Sequence, residues 1–293
     1  LTGTVLAAAG LGALTFGLTR AGEVGIVGSV VATAAVGVAC LVAFVVVEAR
    51  STHPLVPLEL FRNPQFSAAN AVTLLVYAAL GVIFVLLVLQ LQIVSGWSPL
   101  AAGSALLPVT VVMLLFSSRA GALAQRIGPR LPMTLGPLLA AGGALWMGRI
   151  GPDASYLLDV LAPVLLFAVG LTLLVSPLTA TVLDAADDRH AGIASGVNNA
   201  VARTAGLLAV AVIPAAVGIA GADYTDPQTF DEGYGMAMII NACLLILGAA
   251  LAAAFVRRPL AAEPEPDDHR MHIETCAHCG VTGPQLHPAD HDH

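Results

Sequence analysis

In 293 residues this chain is 57% hydrophobic and only 11% charged, with a mean hydropathy of +0.86 and a formal net charge of -7. That composition excludes an ordinary soluble domain, and the negative balance gives no electrostatic footing for nucleic acid. All twelve Lys+Arg residues are arginine, so neither a P-loop lysine nor a Schiff-base lysine can operate within the chain.

Eight apolar runs follow one another, at residues 2–19, 25–47, 68–92, 100–118, 131–149, 157–182, 194–218 and 235–256. At 1.5 Å per residue each run crosses about 30 Å of hydrocarbon. The expected fold is therefore an all-α polytopic membrane protein with about eight transmembrane helices. Pro108, Pro137, Pro163, Pro177 and Pro214 interrupt the runs. In a bundle such breaks are tolerated, because neighbouring helices or water satisfy the freed backbone groups.

The first two runs, within residues 1–48, form a pair set apart by the polar segment 49–67, which holds three prolines and two arginines and reads as a cytoplasmic loop. Residues 68–256 then contain six runs. Six divide into three plus three, and an odd triplet makes the second copy enter the membrane in the opposite sense, as in a 3+3 inverted repeat. The stretches "SPLAAGSAL" and "RHAGIASGV" open the second helix of each triplet with small residues. After Val256 the composition changes abruptly to the polar tail 257–293, expected to be cytoplasmic and disordered.

Arginine placement orients the runs. With the first helix starting inside, Arg50, Arg62, Arg119, Arg126, Arg130, Arg189, Arg257, Arg258 and Arg270 are cytoplasmic, and only Arg20 and Arg149 are outside. The long outer segment "GADYTDPQTFDEGYG" carries acids and no cation. Both termini are expected in the cytoplasm of a cell whose inner membrane holds the protein.

The segment "SSRAGALAQRIGPR", residues 117–130, is expected as the inner turn between the second and third helices of the first triplet. Two readings stand. Its arginines obey the charge rule and its Gly and Pro make the turn; alternatively, Gly121, Leu123, Arg126, Gly128 and Arg130 bring two helices close and hold guanidinium groups where they exchange charge-assisted bonds with a moving partner.

The stretch "GALAQRIGPR" resembles the inner-loop motif of the major facilitator superfamily, with Gln125 where the family's first-half copy has aspartate. Residues 191–212, "AGIASGVNNAVARTAGLLAVAV", together with "PLVPLELFRNPQF" at 54–66, look like the fourteen-helix drug:proton antiporter branch, the EmrB/QacA type. The resemblance implies that residues 1–48 are the two extra inter-domain helices and that 68–256 is a carboxy-terminal transporter domain. It also implies that an amino-terminal six-helix domain is missing and that the energy source is the proton gradient, with no cofactor.

Five further groups of residues stand out. Arg203 lies deep in its run, which points either to a cavity or gate or to snorkelling, while Asn198 and Asn199 point to cross-helix hydrogen bonding or to substrate contact. Gln90 and Gln92 face different sides of their helix, so one is expected at an interface. Asp159 and Asp184 end their run and are read as solvated helix-end carboxylates. In the tail, Cys276 and Cys279 have the spacing of half a zinc site, yet a closed site needs four ligands and no second CxxC is present. Cys40 and Cys243 are read as small core residues.

The expected function is a secondary transporter, not an enzyme: a proton-coupled exporter of small hydrophobic or cationic molecules, embedded in lipid and working by alternating access. A non-transporting membrane scaffold, or an importer of the same superfamily, are the alternatives.

Overall fold

The computed structural model describes residues 2–24, 27–51, 58–186 and 190–256. The tail, with Cys276 and Cys279, lies outside the described residues, as do Arg189, Arg257, Arg258 and Arg270. The described secondary structure is helical throughout, in the order α1 (Thr2–Val24), α2 (Gly28–Arg50), α3 (Pro64–Ile93), the short α4 (Pro99–Ser104), α5 (Leu107–Ile127), α6 (Arg130–Met147), α7 (Ala162–Asp184), α8 (Ala191–Ala216) and α9 (Pro227–Phe255). Short 3-10 turns precede α3 and α9, at Leu58–Arg62 and Gly221–Thr225, and a wide π-helical turn, Tyr156–Leu161, leads into α7.

Several boundaries differ from the sequence expectation, each for a local chemical reason. α3 starts at Pro64 because Asn63 accepts hydrogen bonds from the Gln65 and Phe66 amides and proline occupies the first helical position. The same Asx-Pro device starts α9 at Pro227, with Asp226 capping Gln228. Asp231 and Glu232, expected in an outer loop, are thus within the first turns of a helix. The largest correction concerns residues 117–130: α5 continues to Ile127, and the turn is only Gly128 and Pro129. Gly128 makes it possible, with φ +89° and ψ 154°, a backbone state closed to residues bearing Cβ.

Among the described residues seven helices, α4 and α5 counted as one, are long and apolar enough to cross a membrane. The expected span 131–149 is present as α6 but falls outside that set, because its 18 residues include Arg130, two prolines and three glycines. It is nonetheless deeply packed. Gly136 and Gly170 abut backbone to backbone, so that a Cβ on Gly136 would stand 2.6 Å from the Gly170 carbonyl oxygen. One turn or two further on, Gly143 seats itself against Phe167.

Within the six-helix unit α3 packs on α8 and α9, while α7 packs on α5 and α6; α6 and α9 also meet, as do α3 and α7. Exchanging the triplet α3, α5, α6 for α7, α8, α9 leaves this pattern unchanged. Such a pairing is compatible with the expected repeat of three plus three helices. Phe66, Ile83, Leu86, Leu87, Phe167 and Tyr234 are among the fully buried side chains that fill the shared core. α1 and α2 form a separate hairpin, closed where Gly37 meets the Leu14 backbone, and α1 also touches α8.

Candidate functional site

The glycines that bring helices closest are not those of the 117–130 segment. A Cβ on Gly121 would meet only the Ser176 Cβ, at 3.8 Å, an ordinary contact. The tightest approaches are instead at Gly136 and Gly170 between α6 and α7, and beside the site at the α3–α8 crossing, where a Cβ on Gly81 would lie 2.9 Å from the Gly206 Cα. Arg126, Arg130 and Leu123 are exposed on the last turns of α5 and the first residue of α6. Arg119 stacks over the Phe116 ring at 5.4 Å. The motif residues thus share one end of the bundle, with Arg119, Leu123 and Arg126 on one helical face.

The α3–α8 crossing separates the three polar residues of α8. Asn198 turns inward, donating to the Thr73 hydroxyl at 2.7 Å and to the Asn70 side-chain oxygen Oδ1 at 3.2 Å. Asn70 in turn donates to the Phe66 carbonyl at 2.9 Å. This is a polar seam between two helices, the arrangement that substitutes for hydrophobic attraction in lipid. Asn199 is exposed and is not among the residues that line the cleft described next. Arg203, four residues later and midway along the 26-residue α8, is about 18 Å from the helix start and faces a cleft between α1, α3 and α8.

That cleft has a volume of about 920 Å³, within the range of small-molecule sites. Phe84, Leu80 and Val210 supply apolar walls, and Tyr77, Tyr224, Thr15 and Thr19 supply hydroxyls. Among the described lining residues Arg203 is the one charged side chain, and no carboxylate faces it. Partial burial raises the Tyr224 hydroxyl above its ordinary pKa, so it remains a neutral donor. A guanidinium at this depth costs about 2.5 to 3.5 kcal/mol on insertion scales unless water, an anion or a partner meets it. Tyr77, Phe84 and Tyr224 escaped the sequence reading because an aromatic in an apolar run carries no sign of which face it occupies. The pair Gly81 and Gly206 would have required knowing that α3 and α8 cross.

At the opposite end from the α5 arginines, the buried Gln90 amide donates to the Ile150 carbonyl at 2.7 Å and to an Asp231 carboxylate oxygen. Gln92 bonds only its own helix, at the Val88 carbonyl. Asp159 accepts from the Ser155 amide and hydroxyl, fixing the π-helical turn, and Asp184 is exposed at the end of α7. Cys40 is half-buried in the hairpin, and Cys243 is exposed on α9, against the expectation of a core position. Among the described residues no group of three or more His, Cys, Asp or Glu is placed to hold a metal ion.

Long apolar helices packed into one bundle, with an apolar cleft between α1, α3 and α8, define a polytopic membrane protein. Residues 1–210 match the Major Facilitator Superfamily, and the chain belongs to that family. It is 34% identical over 254 residues to the cephamycin export protein CmcT of Amycolatopsis lactamdurans, covering 86% of this chain and 52% of that protein. It is likewise 34% identical over 273 residues to the lincomycin resistance protein of Streptomyces lincolnensis, covering 92% of this chain and 55% of that one. With the quinolone resistance protein NorB of Staphylococcus aureus it shares 27% identity over 258 residues, 87% of this chain and 55% of the relative. The chain spans about half the length of these relatives.

Proposed function

We propose that this chain is the carboxy-terminal part of a proton-driven exporter of drugs or other small hydrophobic molecules. The observation that carries the reading is Arg203, a mid-helix cation turned into an apolar cleft large enough for a drug-sized molecule. Such a residue is costly in a purely structural bundle and useful in a translocation pathway. The relatives' printed roles in export and resistance support the same reading.

In this reading the unit α3–α9 rocks against an amino-terminal six-helix domain, which the half-length match to the relatives leaves room for. The exposed faces of α5 and α8, with Leu114 80% and Leu207 59% exposed, are available for that partner or for lipid. Arg119, Arg126 and Arg130 lie on the cytoplasmic side together with both termini, where they form switching contacts with the other domain. Protons supply the energy, through carboxylates of the amino-terminal domain.

The test is reconstitution of the full-length product in vesicles, followed by an imposed pH gradient and a panel of fluorescent drugs. Uptake that tracks the gradient, and that falls at least about tenfold in Arg203→Ala, is expected. A gradient that moves none of the panel refutes proton-driven export.

A further inference from the structure

The cleft's chemistry specifies more than its size. Every polar side chain among its described lining residues can donate a hydrogen bond: Arg203, Tyr77, Tyr224, Thr15 and Thr19. None is a carboxylate. An organic cation placed here would meet the guanidinium of Arg203, an exposed side chain, with no compensating charge among the described lining residues. An anion would find the opposite: a planar fork suited to bidentate contact with carboxylate, sulfonate or phosphate oxygens, flanked by hydroxyl donors. Phe84, Leu80, Val210 and the two tyrosine rings offer the rest of the volume to an apolar body.

The α3–α8 crossing fixes where the charge sits. Gly81 and Gly206 hold the two backbones together three residues from Arg203, about 4.5 Å along the helix. The cation therefore stands beside the tightest point of the crossing, and the broader walls lie along the remainder of α8 as far as Pro214 and Ala215.

We infer that the cleft binds amphipathic organic monoanions, head group against Arg203 and apolar body against the aromatic walls, and that it discriminates against organic cations. This keeps the hydrophobic part of the sequence-based expectation of a hydrophobic or cationic substrate and opposes its cationic part, and as a statement about cargo it rests on the exporter reading. An anionic lipid head group and a free carboxylate present the same chemistry to Arg203, and both fall within the inference.

The measurement uses one fluorophore in two charge states: dansylglycine as the anion and a dansyl-aminoethyl-trimethylammonium ion as the cation. Each is titrated into the purified 293-residue chain in a neutral detergent, with protein-free micelles as the baseline. The anion is expected to bind about tenfold tighter or better. Arg203→Gln should bring the two probes within about twofold of each other, and Arg203→Lys should keep the preference for the anion. Displacement of dansylglycine by phosphatidylglycerol but not by benzoate would identify lipid as the source of the anion; displacement by benzoate would identify a free solute. Equal binding, preference for the cation, binding of neither probe, or a preference that survives Arg203→Gln would each overturn the inference. Transport by the full-length product separates the two claims. Gradient-driven movement of both probes without charge preference refutes the anion site and leaves export standing, whereas selective anion binding without any movement does the reverse.

Discussion

Replacing Gly170 by alanine is expected to be the most damaging single-methyl change in the described bundle. A Cβ at this position would stand 2.5 Å from both the Ala140 amide nitrogen and the Gly136 carbonyl oxygen, and 3.0 Å from the Ala140 Cα. All three are main-chain atoms of α6, so no side-chain rotation relieves the clash. Ordinary contact begins near 3.4 Å, which means that α6 and α7 must part by about 0.9 Å at this point. A gap of that size forfeits a quarter to a half of each dispersion contact along the interface, where Gly143 is already seated against Phe167. Overpacking of this kind costs about 1 to 3 kcal/mol, and the absence of any yielding atom puts Gly170→Ala at the upper end. The thermal midpoint, followed through Trp146 emission in detergent, should fall by about 6 to 12 °C, taking about 2 to 4 °C per kcal/mol for a bundle of this size. Gly121→Ala is the control: its Cβ meets only a side-chain carbon at 3.8 Å, and the gain in helix propensity of about 1 kcal/mol should hold or raise the midpoint. A Gly170→Ala midpoint within about 1 °C of the parent would refute the claim that a backbone-to-backbone crossing holds α6 in place.

Asn198→Ala should lower stability by about 1 kcal/mol by leaving Asn70 and Thr73 without their α8 partner; in a double-mutant cycle with Asn70→Ala the losses should be markedly non-additive, and simple additivity would show that the seam carries no coupling. Asn63 both caps α3 and donates to the Ala185 carbonyl at 2.8 Å, across 122 residues of sequence. Asn63→Ser retains the cap and Asn63→Ala removes it, so Ala should cost about 1 kcal/mol more than Ser, and the drop from parent to Ser in the same midpoint assay reads the long-range tie. The Asp226 carboxyl is held below the ordinary carboxylate pKa, first by the Thr229 hydroxyl and then by the Gln228 amide. Its folded value being depressed, the stabilisation from this cap is present above the unfolded value of about 3.9 and is lost as pH falls through the folded value. Thermal midpoints of parent and Asp226→Ala should therefore converge in acid, and curves that stay parallel would argue against a titrating cap.

The helical bundle was legible because hydropathy reports directly on the cost of exposing backbone to lipid. All eight expected runs have a helix beneath them, and the errors lie at their ends. Two of those ends were readable in principle: Asn63-Pro64 and Asp226-Pro227 are start signals of the strongest kind, obscured because the polar residues around them resemble a loop. The end of α5 was harder, since Arg119, Gln125 and Arg126 lower hydropathy without lowering helix propensity. A window that measures apolarity stops at Phe116; the hydrogen-bonded helix stops only at Gly128. At the candidate site, Arg203 was visible because a charge in an apolar run is conspicuous. Its neighbours across the cleft were not, because which residues of α1 and α3 face it depends on the pairing of helices, and nothing in a single run encodes its partner.

Helix α6 has a consequence for how the protein is made. It scarcely packs on α5, to which it is tied by two residues. Its main holds are α7 and α9, both synthesised later. On leaving the ribosome α6 therefore has little to pack against until α7 follows and brings Gly170 to meet Gly136. A lesion at that crossing is then expected to register during biogenesis, as chains with α6 left on the wrong side of the bilayer, before it registers as a weakened mature bundle.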